Sequence, residues 1–159
     1  MIKVTLIALG KLKEKYLRDA VEEYSKRLGR YCALEIAEIN PVSLPENPSE
    51  KEIAAALSKE KELIFKKIPE NAQVFALCVE GKQKSSEEFA AEIEKLTNEG
   101  KNFCFIIGSS YGLDEGVKSR ADIKLSLSKM TFPHQLFRVM LLEQLYRGFK
   151  INEGSTYHK

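Results

Sequence analysis

Short apolar segments alternate along the chain with stretches of helical periodicity. The apolar segments are predicted as strands, because they are five to nine residues long, rich in β-branched and aromatic residues, and mostly bounded by Gly, Pro or Asn. They are Ile2–Leu9, Cys32–Asn40, Gln73–Val79, Asn102–Ile107 and Ile123–Leu127. The helices, predicted from apolar spacing and capping residues, are Leu12–Gly29, Ser49 to about Lys67, Ser85 or Ser86 to near Gly100, Asp114–Arg120 and His134–Lys150.

This alternation predicts an α/β fold, with a mostly parallel sheet and helices on both of its faces. No internal repeat or long linker divides the chain, so residues 1–159 are predicted to form a single domain. Parallel sheets bind ligands at the carboxyl ends of their strands. That rule directs attention to three segments that follow strands: Glu80–Lys84, Gly108–Asp114 and Ser126–Pro133.

Composition narrows the class of protein. The chain has 25 basic and 23 acidic residues, a net charge of +2, so bulk electrostatics give only a faint lean toward a polyanion. Apolar runs are far shorter than the ~20 residues of a membrane span, and no secretory signal is visible. The three cysteines are widely separated and odd in number, which favours reduced thiols. A cytoplasmic protein without a membrane anchor is expected.

The segment Ile107–Asp114 joins a strand to a helix through a turn with Gly108 and Gly112. Glycine permits positive φ and close approach of a ligand. The spacing matches neither the phosphate loop nor the dinucleotide-binding turn. The turn is therefore either a tight connection or a wall of a different kind of ligand site.

The loop Leu125–His134 places Met130 and Phe132 beside Ser and Thr residues. Such a mixture suits a small ligand with an aromatic ring and a few polar groups. A well-packed loop with His134 capping the next helix is the alternative interpretation.

The last predicted helix is apolar around nearly its whole circumference, which favours a homodimer interface. Arg138 and Arg147 interrupt this surface. Either one could form an ion pair with Glu143, or it could bind an anion in a shared cleft. The tail offers a stacking ring in Tyr157 and a titratable group in His158, although chain ends are commonly disordered.

Taken together, these segments resemble one family over the whole chain, the ribosomal large-subunit methyltransferase H family of the SPOUT class. The motifs that carry the resemblance are Gly10–Glu14, Ile106–Gly112, Leu127–Gln135 with Arg138 and Glu143–Arg147, and Tyr157–Lys159. One departure is visible, since Ser109 stands where the family's turn usually has its second glycine. If that position needs positive φ, Ser109 would cost on the order of 1 kcal/mol.

The resemblance implies an α/β-knot with a C-terminal trefoil knot, a homodimer, and no metal. It implies S-adenosylmethionine as methyl donor, held by Leu77, Gly108, Leu127, Ser128, Lys129, Met130, Thr131 and Phe132. It also implies methylation of N3 of a pseudouridine in the 23S rRNA of the large ribosomal subunit, with the assembled ribosome as the expected substrate. In that reaction Arg138 or Arg147 would stabilise the imide anion, Tyr157 would stack, and His158 would accept the proton or place the base. Another RNA target, or RNA binding without catalysis, are the alternatives.

Overall fold

The computed structural model of the chain describes residues 1–158, and Lys159 at the end of the tail lies outside them. The strands are β1 (Ile2–Leu9), β2 (Cys32–Ile39), β3 (Ala72–Gln83), β4 (Asn102–Ile107) and β5 (Ile123–Ser126). The helices are α1 (Lys15–Leu28), α2 (Glu50–Phe65), α3 (Ser86–Asn98), α4 (Glu115–Arg120) and α5 (His134–Asn152).

All five strands are parallel and form one sheet in the order β2-β1-β4-β3-β5. Helices α1, α3 and α5 contribute to one core cluster with alternate strand residues such as Leu6 and Phe105. Helices α2 and α4 contribute to a second cluster with the residues that point the other way, such as Ile7 and Ile106. Because helices cover both faces, the predicted α/β fold class is confirmed, while the trefoil knot stays a prediction.

Local sequence signals set most of the helix starts. Ser49 with Glu52, and Ser85 with Glu88, form complete capping boxes at the starts of α2 and α3. Asp114 caps α4 by accepting a hydrogen bond from the Gly116 N–H at 2.7 Å. These three predicted helix starts are confirmed, and Ser85 rather than Ser86 is the cap of α3.

Two predicted boundaries are wrong by more than two residues. Strand β3 does not end at Gly81, because it re-pairs with β5 beyond a bulge in which both Leu77 and Lys82 lie opposite Leu125. A Cβ at Gly81 would lie only 2.7 Å from the Leu125 backbone, so glycine allows this close approach. Helix α1 begins at Lys15 rather than Leu12.

Smaller shifts have contacts that explain them. The last helix continues to Asn152, whose side-chain amide donates to the Ala90 carbonyl at 2.9 Å.

All three cysteines are unpaired, and burial raises the pKa of Cys32 to about 11 and that of Cys104 to about 12. Among residues 1–158, no helix has the length and apolar character that crossing a bilayer requires.

Candidate active site

A cavity of about 660 Å³ opens at the carboxyl ends of β3, β4 and β5. Each of the three segments predicted to surround a ligand contributes to its wall: Glu80 from the first, the Gly108–Leu113 turn from the second, and much of Ser126–Pro133 from the third. The volume lies within the range of about 300–1,000 Å³ that is usual for small-molecule sites. We call it the donor cavity.

Six of the eight residues predicted to hold the cofactor line the donor cavity. They are Leu77, Gly108, Leu127, Ser128, Thr131 and Phe132. Lys129 and Met130 belong to the same loop, but their side chains are exposed, 73% in the case of Met130. Any contact of Met130 with a ligand in the cavity would therefore come from its backbone rather than its thioether.

The loop after β5 is held in shape by its own serines. The Ser126 hydroxyl donates to the Ser128 carbonyl at 3.0 Å, and the Ser128 hydroxyl accepts from the Met130 N–H at 3.0 Å. Such side-chain to backbone bonds fix a loop that has no strand or helix partners. These two hydrogen bonds therefore stabilise the shape of this part of the cavity wall.

The turn after β4 requires a glycine at its first position. A Cβ on Gly108 would overlap the carbonyl of Gly112, and Gly112 itself has φ +83°. The only non-glycine residue with positive φ among residues 1–158 is Asn71, so Ser109 does not incur the backbone cost considered for it. Its hydroxyl instead lies 3.4 Å from the Glu60 carboxylate of α2, at the long end of hydrogen bonding.

Three of the four predicted catalytic side chains form one cluster at the end of α5. The Arg147 guanidinium donates to Nδ1 of His158 at 3.1 Å and lies over the Tyr157 ring at 4.9 Å from its centroid. The other imidazole nitrogen, Nε2, is 2.7 Å from the Glu87 carboxylate and lowers the pKa of Glu87. Since a guanidinium only donates, Nδ1 accepts in this arrangement, and Nε2 faces the Glu87 carboxylate as the donor.

Arg147 also forms an ion pair with Glu143, one turn earlier on α5, with Nε 2.9 Å from the carboxylate. This hydrogen bond raises the pKa of Arg147. Arg147 is therefore both the ion-pair partner of Glu143 and a cation beside the tail. Its contact with Glu143 holds the guanidinium in place beside Tyr157 and His158.

Arg138 lies apart from this cluster. It is 2% exposed and donates to the Glu38 carboxylate of β2 at 2.6 Å and to the Gly10 carbonyl at 3.0 Å. Its ion-pair partner is thus Glu38, a hundred residues away, and not Glu143. Neither Arg138 nor any member of the Arg147 cluster lines the donor cavity within this chain.

Comparison with known proteins decides the family. A family profile described as "Predicted SPOUT methyltransferase" matches residues 2–158. The chain belongs to the SPOUT methyltransferase family. A protein named ribosomal RNA large subunit methyltransferase H from Clostridium beijerinckii is 56% identical over 159 residues, covering 99% of this chain and 100% of that one. One of the same name from Bifidobacterium adolescentis is 55% identical with the same coverage. The resemblance recognised in the sequence is confirmed.

Solved structures agree with this SPOUT methyltransferase at the level of the fold. A methylase family protein from Neisseria gonorrhoeae superposes with a TM-score of 0.56 at 8% identity, covering 99% of this chain and 87% of that one. A probable methylase family protein from Haemophilus influenzae gives 0.54 at 11% identity, with 96% and 67% covered. At such identities the likeness concerns the fold alone.

The SPOUT methyltransferase carries one charged pair in its cavity wall that sequence reasoning missed in part. Lys118 of α4 lies 2.5 Å from Glu80 of β3, and its hydrogen bond lowers the pKa of Glu80. Glu80 stands in a segment singled out from the sequence, whereas Lys118 does not. The sequence did contain a signal for Lys118, since it lies four residues after the N-cap Asp114 in the short helix α4.

No group of three or more His, Cys, Asp or Glu side chains within residues 1–158 is arranged to hold a metal ion.

His134 begins α5 and lines the donor cavity, where burial, followed by the charges of Arg138 and Lys13, lowers its pKa. Below the unfolded value of about 6.5 the unfolded chain binds more protons at this site than the folded one. We therefore expect this part of the stability to be lost as pH falls below about 6.5. NMR titration should give an imidazole pKa below 6.5 for His134. The denaturation midpoint of the unsubstituted chain should be lower below pH 6.5 than at pH 8, and this difference should be smaller in His134→Gln. An unchanged fall in the variant would contradict this.

Proposed function

We propose that this SPOUT methyltransferase transfers a methyl group from S-adenosylmethionine to N3 of a pseudouridine in 23S rRNA. Its substrate is the large subunit within the assembled ribosome. The observation that carries the proposal is the donor cavity at the ends of β3, β4 and β5, with six of the eight expected donor-binding residues in its wall. Full-length identity of 55–56% to proteins named ribosomal RNA large subunit methyltransferase H supports the choice of RNA. Action on ribosomes also implies a cytoplasmic location.

The donor cavity fits S-adenosylmethionine in size and in chemistry. Leu77 and Leu127 offer apolar walls to a flat base, and Gly108 lets a ligand lie against backbone. Ser128 and Thr131 add hydroxyls, while Lys129 and Met130 would contribute through the backbone of their loop. S-adenosylmethionine, when bound, supplies an electrophilic methyl group.

The acceptor nitrogen determines what the remaining side chains must do. N3 of pseudouridine is a weakly acidic imide nitrogen that has to lose its proton as it attacks. Arg147 can stabilise the resulting negative charge, and Tyr157 can stack on the ring. His158 is the proposed proton acceptor: its Nδ1 takes the N3 proton as the Arg147 N–H that it accepts here turns from Nδ1 to the developing anion. Arg138, buried against Glu38 and Gly10, fits a positioning role at the start of α5 better than contact with substrate.

A homodimer would bring these groups to a donor cavity. The Arg147 cluster does not line the cavity of its own chain, so we infer that a second copy completes the site. Helix α5 carries the surface for this contact, since Leu136, Val139 and Met140 remain only half-buried in the single chain. Residues on a helix that is apolar on all sides are commonly buried by a partner.

Met140→Asp should convert the dimer to a monomer and reduce methyl transfer at least tenfold, because it places a charge in the apolar interface. Sedimentation velocity and transfer assays measure both effects. Leu63→Asp is the matched control, since Leu63 of α2 is 40% exposed on another part of the surface. If Met140→Asp sediments like the unsubstituted chain, α5 is not the interface; if it is a fully active monomer, a second copy does not complete the site.

The proposed function is tested by methyl transfer from labelled S-adenosylmethionine to ribosomes that lack the modification, against free 23S rRNA and bulk tRNA. We expect transfer to ribosomes at one pseudouridine, located by mass mapping of nuclease fragments, and weak use of naked RNA. Transfer to tRNA would show another RNA target. Binding to ribosomes without donor binding in calorimetry would show a protein that binds RNA without catalysis.

A further inference from the structure

A second cavity of about 360 Å³ lies against the donor cavity, beside the turn that follows β4. The two share Ser109, Ser110, Tyr111 and His134, so a single layer of residues separates them. The rest of the second cavity comes from the residues after β1, from the loop that includes Val42 and Leu44, and from α2. We call it the flanking cavity.

The mouth of the flanking cavity carries two cations without acidic partners. Lys11 and Lys13 are both exposed and line the cavity, and neither forms an ion pair within residues 1–158. Several other basic residues are paired, including Lys15 with Asp19 and Lys118 with Glu80. An anion bound at this mouth would therefore meet two lysines whose charge is not already neutralised.

The backbone that bears these lysines is fixed. The Arg18 guanidinium donates to the Leu12 carbonyl at 3.2 Å and to the Lys13 carbonyl at 2.7 Å. The Lys13 N–H donates to the side chain of Gln135, in the first turn of α5, at 3.0 Å. These contacts also explain why α1 begins only at Lys15. They hold the two cations beside the start of the helix that lines the donor cavity.

The wall of the flanking cavity also offers a surface for a flat ring. The Tyr111 side chain is 47% exposed and lines both cavities, and Val42 and Leu44 lie on the loop opposite α2. Glu60, only 4% exposed, accepts from the Val42 N–H at 2.9 Å and lies near the Ser109 hydroxyl. Its carboxylate thus connects the wall of the flanking cavity to the turn that borders the donor cavity.

We propose that the flanking cavity binds the RNA nucleotide next to the one that is methylated. Lys11 and Lys13 take its phosphate, and its base stacks on Tyr111. A polyanion with flat bases matches both the free cations and the exposed ring, and a chain that presents one nucleotide to the donor cavity must continue past its edge. This proposal rests on the proposed function and adds a second point of contact on the same RNA.

The test compares Lys11→Gln/Lys13→Gln with the charge-matched control Lys66→Gln/Lys67→Gln. The control lysines are exposed and lie between α2 and the start of β3, at the amino ends of the strands and not at the carboxyl ends. With ribosomes as substrate, the first pair should raise KM about tenfold or more, leave kcat and donor affinity unchanged, and reduce the slope of log(kcat/KM) against log salt by roughly 0.7 for each lost phosphate contact. The control should shift none of these.

Tyr111 provides an independent arm. Tyr111→Leu should raise KM by about tenfold and Tyr111→Phe should restore it, because stacking needs the ring and not the hydroxyl. Because Tyr111 also borders the donor cavity, calorimetry with S-adenosylmethionine measures the donor affinity of both variants, and only a rise in the KM for ribosomes at saturating donor counts as lost stacking. If wild-type protein methylates ribosomes but the first lysine pair behaves like its control, the flanking cavity holds no nucleotide and the proposed function stands. A change in sedimentation instead of KM would assign the cavity to a second copy. Absence of transfer by wild-type protein would overturn both proposals.

Discussion

A chain that ends at Thr156 should bind S-adenosylmethionine like the full chain and lose methyl transfer by about 10²–10⁴-fold, the range associated with removing a general acid–base group. The deletion removes Tyr157, His158 and Lys159, the last of which lies outside the described residues. Donor affinity should persist because Tyr157 and His158 do not line the donor cavity. Transfer should fall because these residues surround the Arg147 guanidinium.

The contacts of the tail also predict which single changes matter. His158→Gln keeps a polar side chain but removes the titratable ring, so it should reproduce most of the loss in kcat. Arg147→Lys keeps the charge but cannot bond Glu143, stack on Tyr157 and reach His158 at once, since it lacks the planar fork of donors. We expect it to lose transfer as well.

Thr156→Ala is the matched control within the tail, because Thr156 is exposed and stands beside the cluster without belonging to it. Single-turnover transfer to ribosomes and calorimetry with S-adenosylmethionine are the two measurements. A truncated chain with unchanged transfer would remove the tail from the mechanism. A truncated chain that no longer binds the donor would mean that the tail supports the donor cavity instead.

Local signals in the sequence were sufficient for features that depend on neighbours along the chain. Ser49 with Glu52 shows why, since the capping box is complete within four residues and the helix starts where the pattern predicts. The same holds for β1 and β4, whose apolar runs end at Gly10 and Gly108. The positions of the site segments also followed, because parallel strands place their carboxyl ends at one edge.

Features that depend on contacts between distant segments were not accessible in this way. The continuation of β3 through Gly81 depends on the backbone of Leu125, which periodicity within β3 cannot reveal. Arg138 had an acidic residue, Glu143, five positions along its own helix, yet it pairs with Glu38 across the fold. Pairing between segments about a hundred residues apart is decided by the order of strands, and that order was not predicted.

Gly108→Ala should weaken binding of S-adenosylmethionine about 100-fold, equivalent to ~2.7 kcal/mol. The added Cβ would overlap the Gly112 carbonyl and touch Leu113 Cδ2 at 3.0 Å. Backbone cannot rotate away as a flexible side chain can, so the turn has to move. Overpacking of this kind commonly costs 1–3 kcal/mol, and here the movement displaces a wall of the donor cavity.

Gly148→Ala is the control that separates donor binding from folding. A Cβ at Gly148 would lie 2.7 Å from Ile93 Cδ1, between α5 and α3 and away from the donor cavity. Any cost of moving the buried Ile93 side chain falls on folding, measured as the unfolding temperature, and donor affinity should be unchanged. Gly108→Ala should show the opposite balance: a large loss of donor affinity, measured by calorimetry, and a smaller change in unfolding temperature. If both variants bind the donor equally well, the turn after β4 does not form the wall against which S-adenosylmethionine lies, and the donor site has to be sought elsewhere along the strand ends.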